Sequence, residues 1–181
     1  MRALIYIIDT IASLFTLILL LRFWLPWVGA DFRNPMSQGI VQATSPLVNP
    51  LRRIVPSIGR IDTATVLVAF LIQAIAITLV LFIVDAPITA KLIIVGAIFE
   101  LVTLSLLMFT FAIIIRIVLS WIAPNTYNPA TALIASMTDP ILRPLRRYIP
   151  PIGGFDVSPI FAIIVLGALS ILLEDSRSLF M

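Results

Sequence analysis

Asp9, Gln73 and Glu100 fall inside long apolar runs of this chain. An ionisable group at membrane depth is costly and marks a functional position by default. Turned toward one another, these residues could line a polar path for a cation or a proton. Protonated, or snorkelling outward from shallow sites, they would carry nothing. Asp9 lies 13 residues ahead of Arg22 and Glu100 lies 16 ahead of Arg116, so the two acids share a similar depth.

A second set of residues occurs twice. Arg22 and Asp62 recur 94 positions on as Arg116 and Asp156, and the register between them holds without a gap. Sixteen of the 41 aligned pairs are identical, among them Asn34, Pro35, Thr44, Pro46, Pro50, Leu51, Arg52, Arg53, Pro56 and Gly59, which marks an internal duplication. Each Arg closes one apolar run and each Asp opens the next, so both sit at one membrane edge. A guanidinium there can take a carboxylate bidentately, a structural clasp. The alternatives are an Arg that snorkels to lipid phosphate beside an Asp that only caps a helix, or a pair that takes a ligand or ion. The intramembrane acids are not duplicated: Asp9 aligns with Thr103 and Glu100 with Tyr6, which makes a symmetric ion site less attractive.

A third set is basic: Arg52 and Arg53 in the first copy, Arg143, Arg146 and Arg147 in the second. Near an anionic surface each such Arg contributes about 1 kcal/mol. These residues therefore read as contacts to anionic lipid or to an acidic partner, or as determinants of topology alone. Other chemistry is poorly supplied. The chain has no Cys and no His, which excludes disulfides, thiolate nucleophiles, Cys/His metal sites and His acid–base catalysis. No Gly-rich phosphate loop or serine elbow appears. The expectation is a non-enzyme with no cofactor.

The elements that must position these residues follow from composition. Of 181 residues, 61% are hydrophobic and 12% charged, far from the roughly 25% charge of a soluble domain. Mean hydropathy is +1.15. The apolar residues gather in runs of membrane-crossing length, expected as four transmembrane helices over 3–21, 63–84, 92–115 and 157–173. The first reads as an uncleaved span and not a signal peptide, because no small-residue cleavage site follows it. Trp24, Pro26 and Trp27, then Trp121 and Pro124, suit an interfacial belt. The first repeat covers 1–90 with its connector at 22–62; the second covers 91–181 with its connector at 116–156.

Within each connector, Asn34-Pro35 and Asn128-Pro129 read as helix starts. A short helix to about Thr44 is expected, then a fresh start at Ser45-Pro46, mirrored at Asp139-Pro140. Leu47, Val48, Leu51, Ile54 and Val55 then fall on one helical face, with Pro50 expected to kink it. Ile141, Leu142, Leu145, Tyr148 and Ile149 repeat that face. Residues 46–55 thus read as a short amphipathic segment in the headgroup plane. Glu174, Asp175 and Arg177 form a polar tail.

Seven of the twelve basic residues lie in the connectors, Arg33 and Arg60 among them, against three at the termini and the 85–91 turn. The positive-inside rule then places both connectors in the cytoplasm and both termini outside. Two spans per copy make the repeats parallel, related by a pseudo-twofold along the membrane normal.

Two spans around an Asn-Pro, Pro-x-x-x-Pro-Leu-Arg-Arg, Pro-x-Ile-Gly and Asp pattern, given twice, resemble the YggT family of bacterial and plastid membrane proteins. The resemblance covers about residues 3–173. It implies a bacterial cytoplasmic (inner) membrane protein with links to envelope or division processes, to osmotic stress tolerance and ion balance, and in plastids to nucleoid distribution or cytochrome maturation. It supplies no catalytic residues. The combined expectation is an all-α integral membrane protein, acting as a scaffold or assembly partner through its Arg-rich connectors, or alternatively as a small ion transporter or channel. Expected partners are anionic membrane lipids, a protein in the membrane, or a second copy of the chain, and no nucleic acid.

Overall fold

Six α-helices follow one another in the computed structural model, which describes residues 1–59, 61–122, 128–151 and 156–180. They are α1 (Arg2–Trp24), α2 (Pro35–Arg52), α3 (Thr63–Ile83), α4 (Ala90–Ile122), α5 (Pro129–Tyr148) and α6 (Ser158–Phe180). Arg60, Pro124 and the Ile152-Gly153 end of the second motif lie outside the described residues. Helices α1, α3, α4 and α6 are long and apolar enough to cross a membrane. Four spans are therefore present as expected, with different limits. Helix α4 has 33 residues, or roughly 50 Å, and carries Arg116 and Trp121 within it. The expected polar tail continues α6 as helix through Glu174, Asp175 and Arg177. Nothing interrupts either helix, since no Pro or Gly stands just beyond the expected C-terminal ends at 115 and 173.

The spans pack as two similar pairs, α1 on α3 and α4 on α6, joined through contacts of α4 with α1 and α3. Small residues carry the close approaches: Ala64, Ala69 and Ala76 on α3, Ala97 and Ala112 on α4, and Ala162 on α6 are all buried. Backbones can come near one another only at such positions, and dispersion then binds helices that gain no hydrophobic drive from lipid. Trp24 locks α1 to α4. Its ring meets Phe109 edge-on at 5.0 Å between centroids, and its Nε1 donates to Ser105 Oγ at 3.3 Å.

Helix α2 lies against α1 and α3, and α5 against α4 and α6. The two connectors also touch each other: Asn34 Nδ2 donates to the Pro129 carbonyl at 2.7 Å. Both connectors thus sit at one end of the bundle, which is the parallel arrangement of repeats. Their starts fall where the Asn-Pro pairs place them. Asn34 Oδ1 accepts from Met36 N, and Asn128 forms a reciprocal capping box with Thr131.

The interior of each connector differs from expectation. Residues 35–52 are one continuous helix through Pro46 and Pro50, not two segments with a fresh start, and α5 likewise runs through Pro140 and Pro144. A proline inside a helix removes one donor and crowds the preceding turn. Nearby hydroxyls brace the turn ahead of Pro46: Thr44 Oγ1 donates to Ile40 O at 2.7 Å and Ser45 Oγ to Val41 O at 2.6 Å. The apolar faces also divide. Val48 and its counterpart Leu142 are fully buried against the spans, whereas Ile54 and Tyr148 are exposed.

Candidate functional site

Where each span meets its connector, one arginine reaches from the span into the connector helix. Arg22 Nη1 donates to Val41 O at 3.1 Å, to Thr44 Oγ1 at 2.8 Å and to Ser45 Oγ at 3.4 Å. Arg116 Nη1 donates to Ala135 O at 3.4 Å, to Thr138 Oγ1 at 2.6 Å and to Asp139 Oδ1 at 2.6 Å. These acceptors match one for one across the 94-residue offset. Each Thr also back-bonds its own helix, Thr44 to Ile40 O and Thr138 to Ile134 O, so its hydroxyl proton is committed and its lone pairs face the guanidinium. The arrangement clamps an amphipathic helix to a span with charge-assisted bonds.

The expected Arg–Asp pairs form in one copy only. Arg22 Nε lies 3.5 Å from Asp62 Oδ2, with both side chains largely buried. Asp62 also accepts from Arg52 and from Thr65 Oγ1, and caps α3. In the second copy Arg116 pairs with Asp139, not with Asp156. The physical reason is position 139: it carries a carboxylate where the first copy has Ser45, and this carboxylate lies on the connector helix that Arg116 already touches. Asp156 is left to Arg146 at 2.8 Å and to Ser158 at the start of α6.

The carboxylates respond to these surroundings. Burial pushes the Asp62 carboxyl up, but hydrogen bonds from Thr65 and Arg52 and the Arg52 charge outweigh it and hold it below its usual range. Asp139 and Asp156 are lowered in the same way. Burial is outweighed by Arg116 and Arg143 at the first, and by Ser158 and Arg146 at the second.

The basic residues expected to meet lipid or a partner are thereby sorted. Arg52, Arg143 and Arg146 are answered internally, by Asp62, Asp139 and Asp156. Arg53 and Arg147, equivalent across the repeat, are exposed and make no ion pair among the described residues.

At the opposite end of the bundle, Asp9, Gln73 and Glu100 line one cavity of about 380 Å³, together with Ser13 and Arg177. Arg177 Nη1 lies 3.6 Å from Glu100 Oε2. Gln73 is almost fully buried and donates from Nε2 to Thr16 Oγ1 at 3.0 Å. Among the described residues no group of three or more acidic residues converges as a metal site.

Sequence reasoning missed Ser13, Thr16, Arg177 and the Thr44/Thr138 acceptors. The identity of Thr44 and Thr138 within the repeat was the available signal for the clamp. Nothing in the spacing pointed to Arg177, which was read as part of a tail.

Four apolar spans crossed at one end by two clamped amphipathic helices define a polytopic α-helical membrane protein built from a duplicated helix–connector–helix unit. The CCB3/YggT family model matches this chain twice, over residues 1–83 and 95–176, and the chain belongs to that family. An uncharacterized protein of Pseudomonas aeruginosa is 44% identical over 176 residues, covering 96% of this chain and 89% of its own. YggT of Escherichia coli K12, itself uncharacterized, is 37% identical over 167 residues, covering 92% of this chain and 86% of its own. A chloroplastic YlmG homolog of Arabidopsis thaliana is 41% identical over 59 residues, 31% of this chain and 22% of its own. No solved structure matches.

Proposed function

We propose that this protein is a non-catalytic organiser of the bacterial cytoplasmic membrane, with its connectors and their arginines in the cytoplasm. The observation that carries this reading is the doubled clamp. Each connector is tied to a span through a buried or half-buried arginine, and each leaves one exposed arginine, Arg53 or Arg147, with no ion pair among the described residues. Two preorganised cations on a rigid platform at the headgroup plane suit anionic lipid, and through it the assembly of neighbouring envelope proteins or of a second copy.

The three tryptophans allow a direct test, since Trp24 and Trp121 lie at the connector ends of α1 and α4 and Trp27 in the turn that follows α1. In reconstituted protein, brominated phosphatidylglycerol should quench tryptophan fluorescence more than brominated phosphatidylcholine at equal mole fraction. Changing Arg53 and Arg147 to Gln should remove the excess. Equal quenching by the two lipids in the unaltered chain would sink the anionic-lipid reading.

A second reading, small ion transport with a part in osmotic tolerance, is favoured by one observation: Asp9, Gln73 and Glu100, dispersed over three spans, line a single cavity. Flux of sodium, potassium or protons into proteoliposomes, abolished by Asp9→Asn or Glu100→Gln, is the outcome that reading requires.

A further inference from the structure

The cavity away from the connectors holds an unbalanced charge. Its walls come from all four spans: Asp9 and Ser13 on α1, Gln73, Val80 and Leu81 on α3, Leu92 and Glu100 on α4, and Arg177 on α6. Of its two carboxylates, Glu100 has a guanidinium at 3.6 Å, whereas Asp9 has no ion pair among the described residues. By formal charge these lining residues leave one negative charge over, and a carboxylate in a membrane span is costly without a counter-charge.

Neutral oxygen donors line the same cavity. Asp9 and Ser13 are four residues apart on α1, so they share one helix face. Several helix-borne hydroxyls in the spans hand their proton to the carbonyl four residues back, as Thr78, Ser105, Thr110 and Ser170 do. Ser13, by contrast, makes no hydrogen bond among the described residues. Gln73 is 3% exposed, and with Nε2 spent on Thr16 its Oε1 accepts no hydrogen bond from them either. A nearly buried amide side chain, an exposed carboxylate without an ion pair and a hydroxyl without a hydrogen bond among the described residues, all lining one cavity, supply the oxygen types that hard cations take. One surplus negative charge matches one positive charge. A divalent ion would need more carboxylates than Arg177 leaves available.

We propose that this cavity is a binding site for a small monovalent cation, held by Asp9 with oxygens of Ser13 and Gln73, and that Arg177 sets its charge preference by occupying Glu100. The proposal rests on the second reading above and deepens it, but it concerns equilibrium binding and not transport.

The test is thermal unfolding of the purified full chain in neutral detergent, titrated with sodium or potassium chloride against choline chloride at constant ionic strength. A saturable rise of about 5 °C or more over choline is expected for at least one of the two ions. Asp9→Asn should abolish the difference. Arg177→Gln should act in the opposite sense: it restores a second uncompensated carboxylate, lowers the half-maximal concentration at least about fivefold, and admits calcium. Because these variants move in opposite directions, general loss of folding cannot mimic both.

No sodium or potassium effect on a helical, folded chain overturns the proposal, as does an effect unchanged in Asp9→Asn. Stronger stabilisation of the unaltered chain by calcium overturns the monovalent assignment, and a response to pH alone assigns the site to a proton instead. Parallel flux measurements separate the two ideas. Binding without flux removes the transport reading and keeps the site. Flux that survives Asp9→Asn without binding removes the site and keeps transport by another path.

Discussion

The two copies hold the same arginine against the same threonine and carbonyl, and differ in where its charge is answered. Arg22, 5% exposed, faces Ser45 on the connector and so depends on Asp62 across the membrane edge. Arg116, 25% exposed, finds its carboxylate on the connector itself at Asp139. One substitution between copies, Ser45 against Asp139, thus moves the answering carboxylate onto the connector, where Asp139 pairs with both Arg116 and Arg143. Asp62 serves two arginines, Arg22 and Arg52, while Asp156 serves only Arg146 among the described residues. Hydrogen bonds define the clamp, and charge neutralisation can come from either side of it.

The largest expected effect breaks that comparison at its acid. Asp62→Asn leaves the buried Arg22 without a counter-charge and should cost about 3 kcal/mol in reversible detergent unfolding. Asp156→Asn, at a side chain 40% exposed, should cost about 1 kcal/mol or less. Equal losses would show that the copies are energetically alike despite their pairings.

Moving the charge sharpens it. Ser45→Asp gives Arg22 the partner that Arg116 already has, so the Ser45→Asp/Asp62→Asn double variant should recover about 1–2 kcal/mol of the Asp62→Asn loss in a double-mutant cycle. Additive effects would mean that Arg22 cannot turn from one acid to the other.

Acidity tests all three carboxylates together. Each has a folded value held below its ordinary value of 3.8. Their contribution to stability is therefore fully present above that ordinary value and is lost as pH falls through the lower folded values. Stability should stay level down to about pH 5 and drop below about pH 4. The drop should be shallower in Asp62→Asn than in Asp156→Asn if the first copy dominates.

The smallest effect tests what the copies share. Thr44→Val and Thr138→Val each remove one acceptor from a guanidinium and should cost about 1 kcal/mol apiece, equally in the two copies. A marked inequality would show that the clamp, and not only its counter-charge, has diverged.

Much of this was legible in the chain. Long apolar runs announce spans because a bilayer core admits only such segments, and Asn-Pro pairs announce helix starts because proline loses nothing there. The Arg22–Asp62 meeting could be foreseen because both residues mark the same membrane edge. The Arg116–Asp156 pairing failed for a local reason: Asp139-Pro140 reads as a helix start, whereas α5 runs through Pro140 and Pro144 and keeps Asp139 on the helix that Arg116 touches. The same misreading split each connector in two.

By itself, then, the sequence determined the membrane class, the four spans, the duplication and the sites of both connector starts. These follow from hydropathy, repeat register and backbone chemistry, all of which act locally along the chain. Tertiary structure alone decided which acid answers which arginine, that Arg53 and Arg147 stay exposed while Arg52, Arg143 and Arg146 are paired internally, and that Asp9, Gln73 and Glu100 line one cavity with Arg177. Those outcomes turn on helix rotation and depth, which small residues such as Ala64, Ala69 and Ala97 set by letting backbones approach. No pattern of spacing within a single span encodes them.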